Sequence, residues 1–158
     1  VIVTPTSLHR EVVLAAAIID IGFGASAFVY VFDRRSGRFL AEVSALGVPR
    51  LQAGVADRAG EGARAWFRSP SLALVLERPP GSDAYRLHGR GPGLQLDVSL
   101  AAAAAPAGLA AIAEVPGGVV SCTHKRVGLL ASGLVGLAEG NISGGMENAG
   151  PGDPPTVC

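Results

Sequence analysis

From Leu94 to Leu100 the chain alternates without a break, with Leu94, Leu96, Val98 and Leu100 separated by Gln95, Asp97 and Ser99. Side chains in a strand point to opposite faces in turn, so this pattern demands a strand with one dry face and one wet face. Tyr85-Arg86-Leu87-His88 alternates in the same way, and Gly89-Arg90-Gly91-Pro92-Gly93 reads as the turn between the two. Leu72 to Glu77 is apolar and runs into Pro79-Pro80-Gly81-Ser82-Asp83. Three strands joined by two turn-rich links make an antiparallel meander.

A second hairpin is equally legible. Ala25 to Phe32 carries Phe28, Tyr30 and Phe32 on one side and Ala27, Val29 and Val31 on the other. The aromatic side is expected to be the buried one. Arg34 to Gly37 forms the turn, with Gly37 free to take positive φ, and Arg38 to Ala45 returns as a strand. Apolar residues on both sides of Ala25–Phe32 imply that this strand is covered twice, as between a sheet and a barrel interior or second sheet.

Val12 to Ile19 carries both signals: three alanines favour helix, whereas Val12, Val13, Ile18 and Ile19 favour strand. Ala101 to Ala105 poses the same question, but Pro106 and Gly108 leave room for barely one helical turn. Val119–Thr123 and Leu129–Leu137 read as late strands, and residues 46–65 as a long loop. The fold class is therefore all-β, an antiparallel meander forming a partial barrel or sandwich. Residues 1–139 form the β domain, and residues 140–158, rich in Gly, Pro, Asn and Asp without periodicity, form a disordered tail.

Composition narrows the function classes. With 158 residues, 49% hydrophobic and 16% charged at zero net charge, the chain can bury one real core and offers no basic stripe for nucleic acid. Lys125 is the only lysine. No apolar run approaches the length of a membrane-spanning helix, and Arg10 and Glu11 stand where a signal peptide would be apolar. Two cysteines, Cys122 and Cys158, cannot build a disulfide framework, so a reducing cytoplasm is the expected compartment. The chain opens at Val1 inside a strand-like pattern, without a methionine before it, which reads as a fragment or an unusual start codon.

Two blocks carry a family resemblance. Ala17-Ile18-Ile19-Asp20-Ile21-Gly22-Phe23, continuing through Phe28 to Phe39, resembles a bacterial family known as domain of unknown function 2804. Thr123-His124-Lys125-Arg126-Val127-Gly128-Leu129, followed by Ser132-Gly133, resembles a second block of it, in the same order and at similar separation. Phe23 stands where that family usually has tyrosine, and His124 where it often has glutamine. The resemblance implies that Val12–Ile19 is a strand and that this chain is the middle portion of a longer protein. The family is in turn similar to lipocalin-like carotenoid hydratases, which implies an up-and-down barrel around an apolar pocket. It implies no catalytic residue.

Candidate chemistry is sparse. Gly22-Phe23-Gly24 follows a strand but lacks the third glycine and the helix of a dinucleotide fingerprint, and no cofactor is expected. His124 and Arg126 alternate with Lys125 on a strand; His124 is a candidate acid or base and Lys125 a carboxylate binder, against the plainer reading of a solvated strand end. Asp20 ends an apolar run and is either a carboxyl facing a pocket or the cap of a turn beside Gly22. His9, His88 and His124 are too scattered for metal ligation, so no metal site is expected. Phe28, Tyr30 and Phe32 either line an apolar cavity, with Tyr30 fixing a ligand's polar end, or are ordinary core. Three functions follow: a module binding an apolar or amphipathic small molecule, a hydratase- or isomerase-type enzyme using Asp20 or His124 for proton transfer, or a structural fragment without a site. Self-association through an unpaired sheet edge is expected as well.

Overall fold

In the computed structural model, described for residues 2–9, 12–56, 61–101, 109–115, 119–125, 130–138 and 140–144, every regular element is a strand. Strands β1 (Ile2–His9), β2 (Val12–Asp20), β3 (Ala25–Asp33) and β4 (Arg38–Gly47) form a four-stranded sheet in chain order. Strands β5 (Ala53–Val55), β6 (Arg64–Arg68), β7 (Ala73–Glu77), β8 (Tyr85–Gly91) and β9 (Leu94–Ala101) continue as a meander. Strands β10 (Leu109–Val115) and β11 (Val119–Lys125) pair only with each other, whereas β12 (Leu130–Leu137) and β13 (Gly140–Gly144) extend the meander beyond β9 into a seven-stranded sheet. All of these strand pairs are antiparallel, and Leu130 of β12 lies directly opposite Ala101 of β9. Among the described residues the two large sheets do not close into one barrel. No helix there is long and apolar enough to cross a membrane.

One core joins the two large sheets. Leu14, Ile18, Val29 and Val31 come from the first, and Phe67, Leu74, Leu87, Leu96, Val98 and Val135 from the second. The alternation of Leu94 to Leu100 appears directly as burial, with the four apolar side chains inside and Gln95 and Asp97 in solvent. Face-to-face sheets usually stand about 10 Å apart. Here β2 comes within 8 Å of β5 and β6, Cα to Cα. The core contributes Ala16, Ala53 and Ala65 from these three strands, side chains small enough to permit that approach. The alanine run that resembles a helix signal thus belongs to a strand whose partner lies unusually near.

Four expectations are corrected. Residues 46–65 are not one long loop, because they hold the end of β4, all of β5 and the start of β6. Gly140–Gly144 is not disordered: it is β13, with Ile142 opposite Val135; the rest of the expected tail lies outside the described residues. The turn between β8 and β9 is shorter than Gly89–Gly93, since both strands pair as far as Gly91 and Leu94. Most important, the buried face of β3 is the opposite one. Val29 and Val31 are 0% exposed, whereas Phe28, Tyr30 and Phe32 are half-buried on the outer side. Both faces of β3 are apolar, and the one that carries Ala27, Val29 and Val31 joins the core. The question posed by Ala101–Ala105 falls largely on residues outside the described ones.

Candidate binding face

The outer face of the first sheet follows from its register. Ala15 is paired with Tyr30 and Ala17 with Phe28, while Tyr30 is paired with Glu42 and Phe28 with Ser44. Directly opposed residues in an antiparallel pair project to the same side. Ala15 and Ala17 are almost fully buried yet stand outside the core cluster, on the face that carries the rings of Phe28 and Tyr30. Small residues on β2 therefore leave a floor beside large ones on β3.

The rings form a continuous group. Phe28 and Tyr30 stack with centroids 6.3 Å apart and planes 6° from parallel. Phe39, on β4, stands edge-on to both Tyr30 and Phe32, at 5.5 Å and 5.2 Å. Phe39 reaches Phe32 because the β3–β4 register slips by one residue: Val31 faces Ala41 and Phe32 faces Phe39, so Leu40 is the extra residue of a bulge. Next to Phe28 the face opens into a hollow of ≈ 280 Å³ lined by Ser26, Ala27, Phe28, Ser44, Ala45 and Leu46. Leu46 is 85% exposed at its rim. The lining joins apolar carbon to the hydroxyls of two serines, and the Tyr30 ring stacks on Phe28 along the same face.

The turn that joins β3 to β4 is fixed by Asp33. Its Oδ1 accepts a hydrogen bond from the Arg35 N–H at 2.9 Å, its Oδ2 accepts one from the Ser36 hydroxyl at 2.6 Å, and its carbonyl accepts the Gly37 N–H. The Ser36 hydroxyl, and then the Arg35 amide, hold the Asp33 carboxyl below the usual carboxylate range. Gly37 supplies the positive φ of 68° that closes the turn.

The remaining candidate residues are not gathered there. Asp20 ends β2, and its Oδ1 accepts the Gly22 N–H at 2.9 Å, which closes a side-chain turn at the tip of the β2–β3 hairpin. His124 and Lys125 lie on β11, opposite Ala110 and Leu109, in the separate two-stranded sheet. Arg126 lies outside the described residues. No group of three or more His, Cys, Asp or Glu among the described residues is placed to hold a metal ion.

Sequence reasoning overlooked Phe39, Ser26, Ser44 and Leu46, because only the β3–β4 register brings them beside Phe28 and Tyr30. It also overlooked a cross-strand pair on the outer face of the second sheet, where His88 Nδ1 lies 3.2 Å from Asp97 Oδ1. A two-residue turn at Pro92-Gly93 would have paired those positions directly, since Gly91 faces Leu94.

Neither the curated proteins nor the solved structures yield a match to this chain. A protein-family model does, and its span takes in both blocks on which the sequence resemblance rests, as well as all the strands of the aromatic face. Matched over residues 3–149, the chain belongs to the family described as Domain of unknown function (DUF2804).

Proposed function

We propose that the outer face of β3 and β4 binds an apolar or amphipathic small molecule. The observation that carries this reading is the connected group of Phe28, Tyr30, Phe32 and Phe39, bordered by the hollow that Ser26, Ser44 and Leu46 line. Four aromatic rings kept on an outer face leave apolar surface in water, and a ligand that covers it recovers hydrophobic free energy. A hollow of ≈ 280 Å³ that is open to solvent offers a seat for a ring system or a short alkyl chain. Tyr30 and the two serines supply hydroxyls for the ligand's polar end. The ligand lies against a sheet here, whereas the likeness to lipocalin-like hydratases implies a barrel interior.

The test is a titration with N-phenyl-1-naphthylamine, a neutral apolar fluorophore. Saturable binding is expected, weakened roughly tenfold by Phe28→Ser, the equivalent of about 1.4 kcal/mol. Leu134→Ser, on the other sheet, should leave binding unchanged. Saturable binding that survives both Phe28→Ser and Tyr30→Ser would remove the site from this face, and an absence of saturable binding would refute the reading outright.

A further inference from the structure

The free edge of the first sheet has an unusual composition. Strand β4 pairs with β3 on one side and, among the described residues, with no strand on the other. An edge strand in an antiparallel ladder turns half of its N–H and C=O groups away from its neighbour, which makes it a template for another strand. Natural edges are usually short, interrupted by proline or studded with lysine. β4 runs for 10 residues and contains neither proline nor lysine. Phe39, Leu40 and Leu46 along it are all exposed large hydrophobics. Past Gly47 the edge is closed: Val48 donates its N–H to Gln52 Oε1 and accepts the Gln52 N–H at its carbonyl. The open stretch is Arg38–Gly47.

We propose that this edge pairs with β4 of a second copy of the chain, antiparallel about a two-fold axis at Val43. The sequence of the edge narrows the register, and centring on Val43 keeps the regular stretch Ala41–Ala45 paired with itself. A one-residue slip would bring the aromatic face of one copy level with the core face of the other, so only registers that keep the faces together remain. Centring on Glu42 sets two like charges directly opposite each other, which is destabilising. Centring on Val43 sets Glu42 against Ser44 and Ala41 against Ala45, each pair occurring twice, with no like charges opposed, and brings the bulge at Leu40 of one copy to the Leu46 end of the other. The same patch serves both copies, as a closed two-fold interface requires. Ala41, Val43 and Ala45 are only partly buried on the inner side, so β4 lies at the rim of the sandwich, where a neighbouring strand has room.

Sedimentation velocity of the full chain across a concentration series tests this. A monomer–dimer equilibrium in the micromolar range is expected, and the double variant Leu40→Lys/Leu46→Lys should raise its dissociation constant by roughly tenfold or more. Because both leucines are exposed, folding should be retained, and circular dichroism checks that it is. Leu134→Ser is the control: Leu134 is exposed on β12, which lies by β1 at the opposite side of the first sheet from β4. Amide hydrogen exchange gives a second readout, with β4 amides slower in concentrated than in dilute protein. The proposal is overturned by a monomer across the series, by a dimer that persists unchanged in the double variant, or by one that Leu134→Ser abolishes while β4 exchange stays independent of concentration.

Discussion

Gly47 and Phe67 meet so closely that a methyl group on the glycine would lie 2.8 Å from the Phe67 Cε2 atom. Gly47 ends β4 in the first sheet, and Phe67 lies in β6 of the second with no exposed surface, so the ring has nowhere to retreat. Gly47→Ala is therefore expected to destabilise the fold by about 1–3 kcal/mol, the range for overpacking a filled core. Urea denaturation measures it. An unchanged midpoint would mean that the sheets separate there at little cost.

Phenylalanines on the two faces should behave differently when truncated. Phe67→Ala removes a fully buried ring and should cost about 3–5 kcal/mol. Phe28→Ala removes a half-buried ring that stacks on Tyr30, and should cost roughly 1–2 kcal/mol from lost ring contact and partial burial. Denaturation of both variants side by side decides the matter; equal losses would place Phe28 in the core after all.

Asp33 should titrate below the usual carboxylate range, because its charged form accepts the Ser36 hydroxyl and the Arg35 amide. A carboxyl whose pKa is depressed by folding stabilises the fold above its unfolded pKa, and that contribution is lost as pH falls through the lower folded value. Ser36→Ala should move the Asp33 midpoint up toward the ordinary value, as followed by NMR of the side-chain carboxyl. A midpoint that does not move would assign the depression to the backbone amide alone.

Asp20 should respond to substitution as a turn residue. Asp20→Ala removes the acceptor of the Gly22 N–H and should cost about 1 kcal/mol, which is roughly 2–4 °C in melting temperature for a domain of this size. Asp20→Asn keeps an oxygen at that position and should recover most of the loss. If Asn is as damaging as Ala, the negative charge matters and the turn does not.

The strands were legible wherever period-two patterning was long. Leu94–Leu100 and Ala25–Phe32 appear as β9 and β3 because alternation over seven or eight residues has no competing reading. Short strands escaped: Ala53–Val55 in β5 has too few residues to show a period, and Gly54 within it is a usual turn residue. Which face of β3 is inside was not legible. Ring size favours burial residue by residue, yet both faces of β3 are apolar, and it is Val29 and Val31 that join the core. The candidate face was legible only along β3. Phe39 and Leu46 join it through a register that includes a bulge, and single-strand periodicity carries no record of registers.

The opposition of Ala101 and Leu130 has one further consequence. The chain leaves the seven-stranded sheet and rejoins it at the same rung, so β10 and β11 are inserted between two strands that pair with each other. Directly opposed antiparallel residues stand only about 5 Å apart, a gap that a tight turn can span. The hairpin carrying His124 and Lys125 is thus topologically a graft. Removing it would re-thread none of the strands of the seven-stranded sheet.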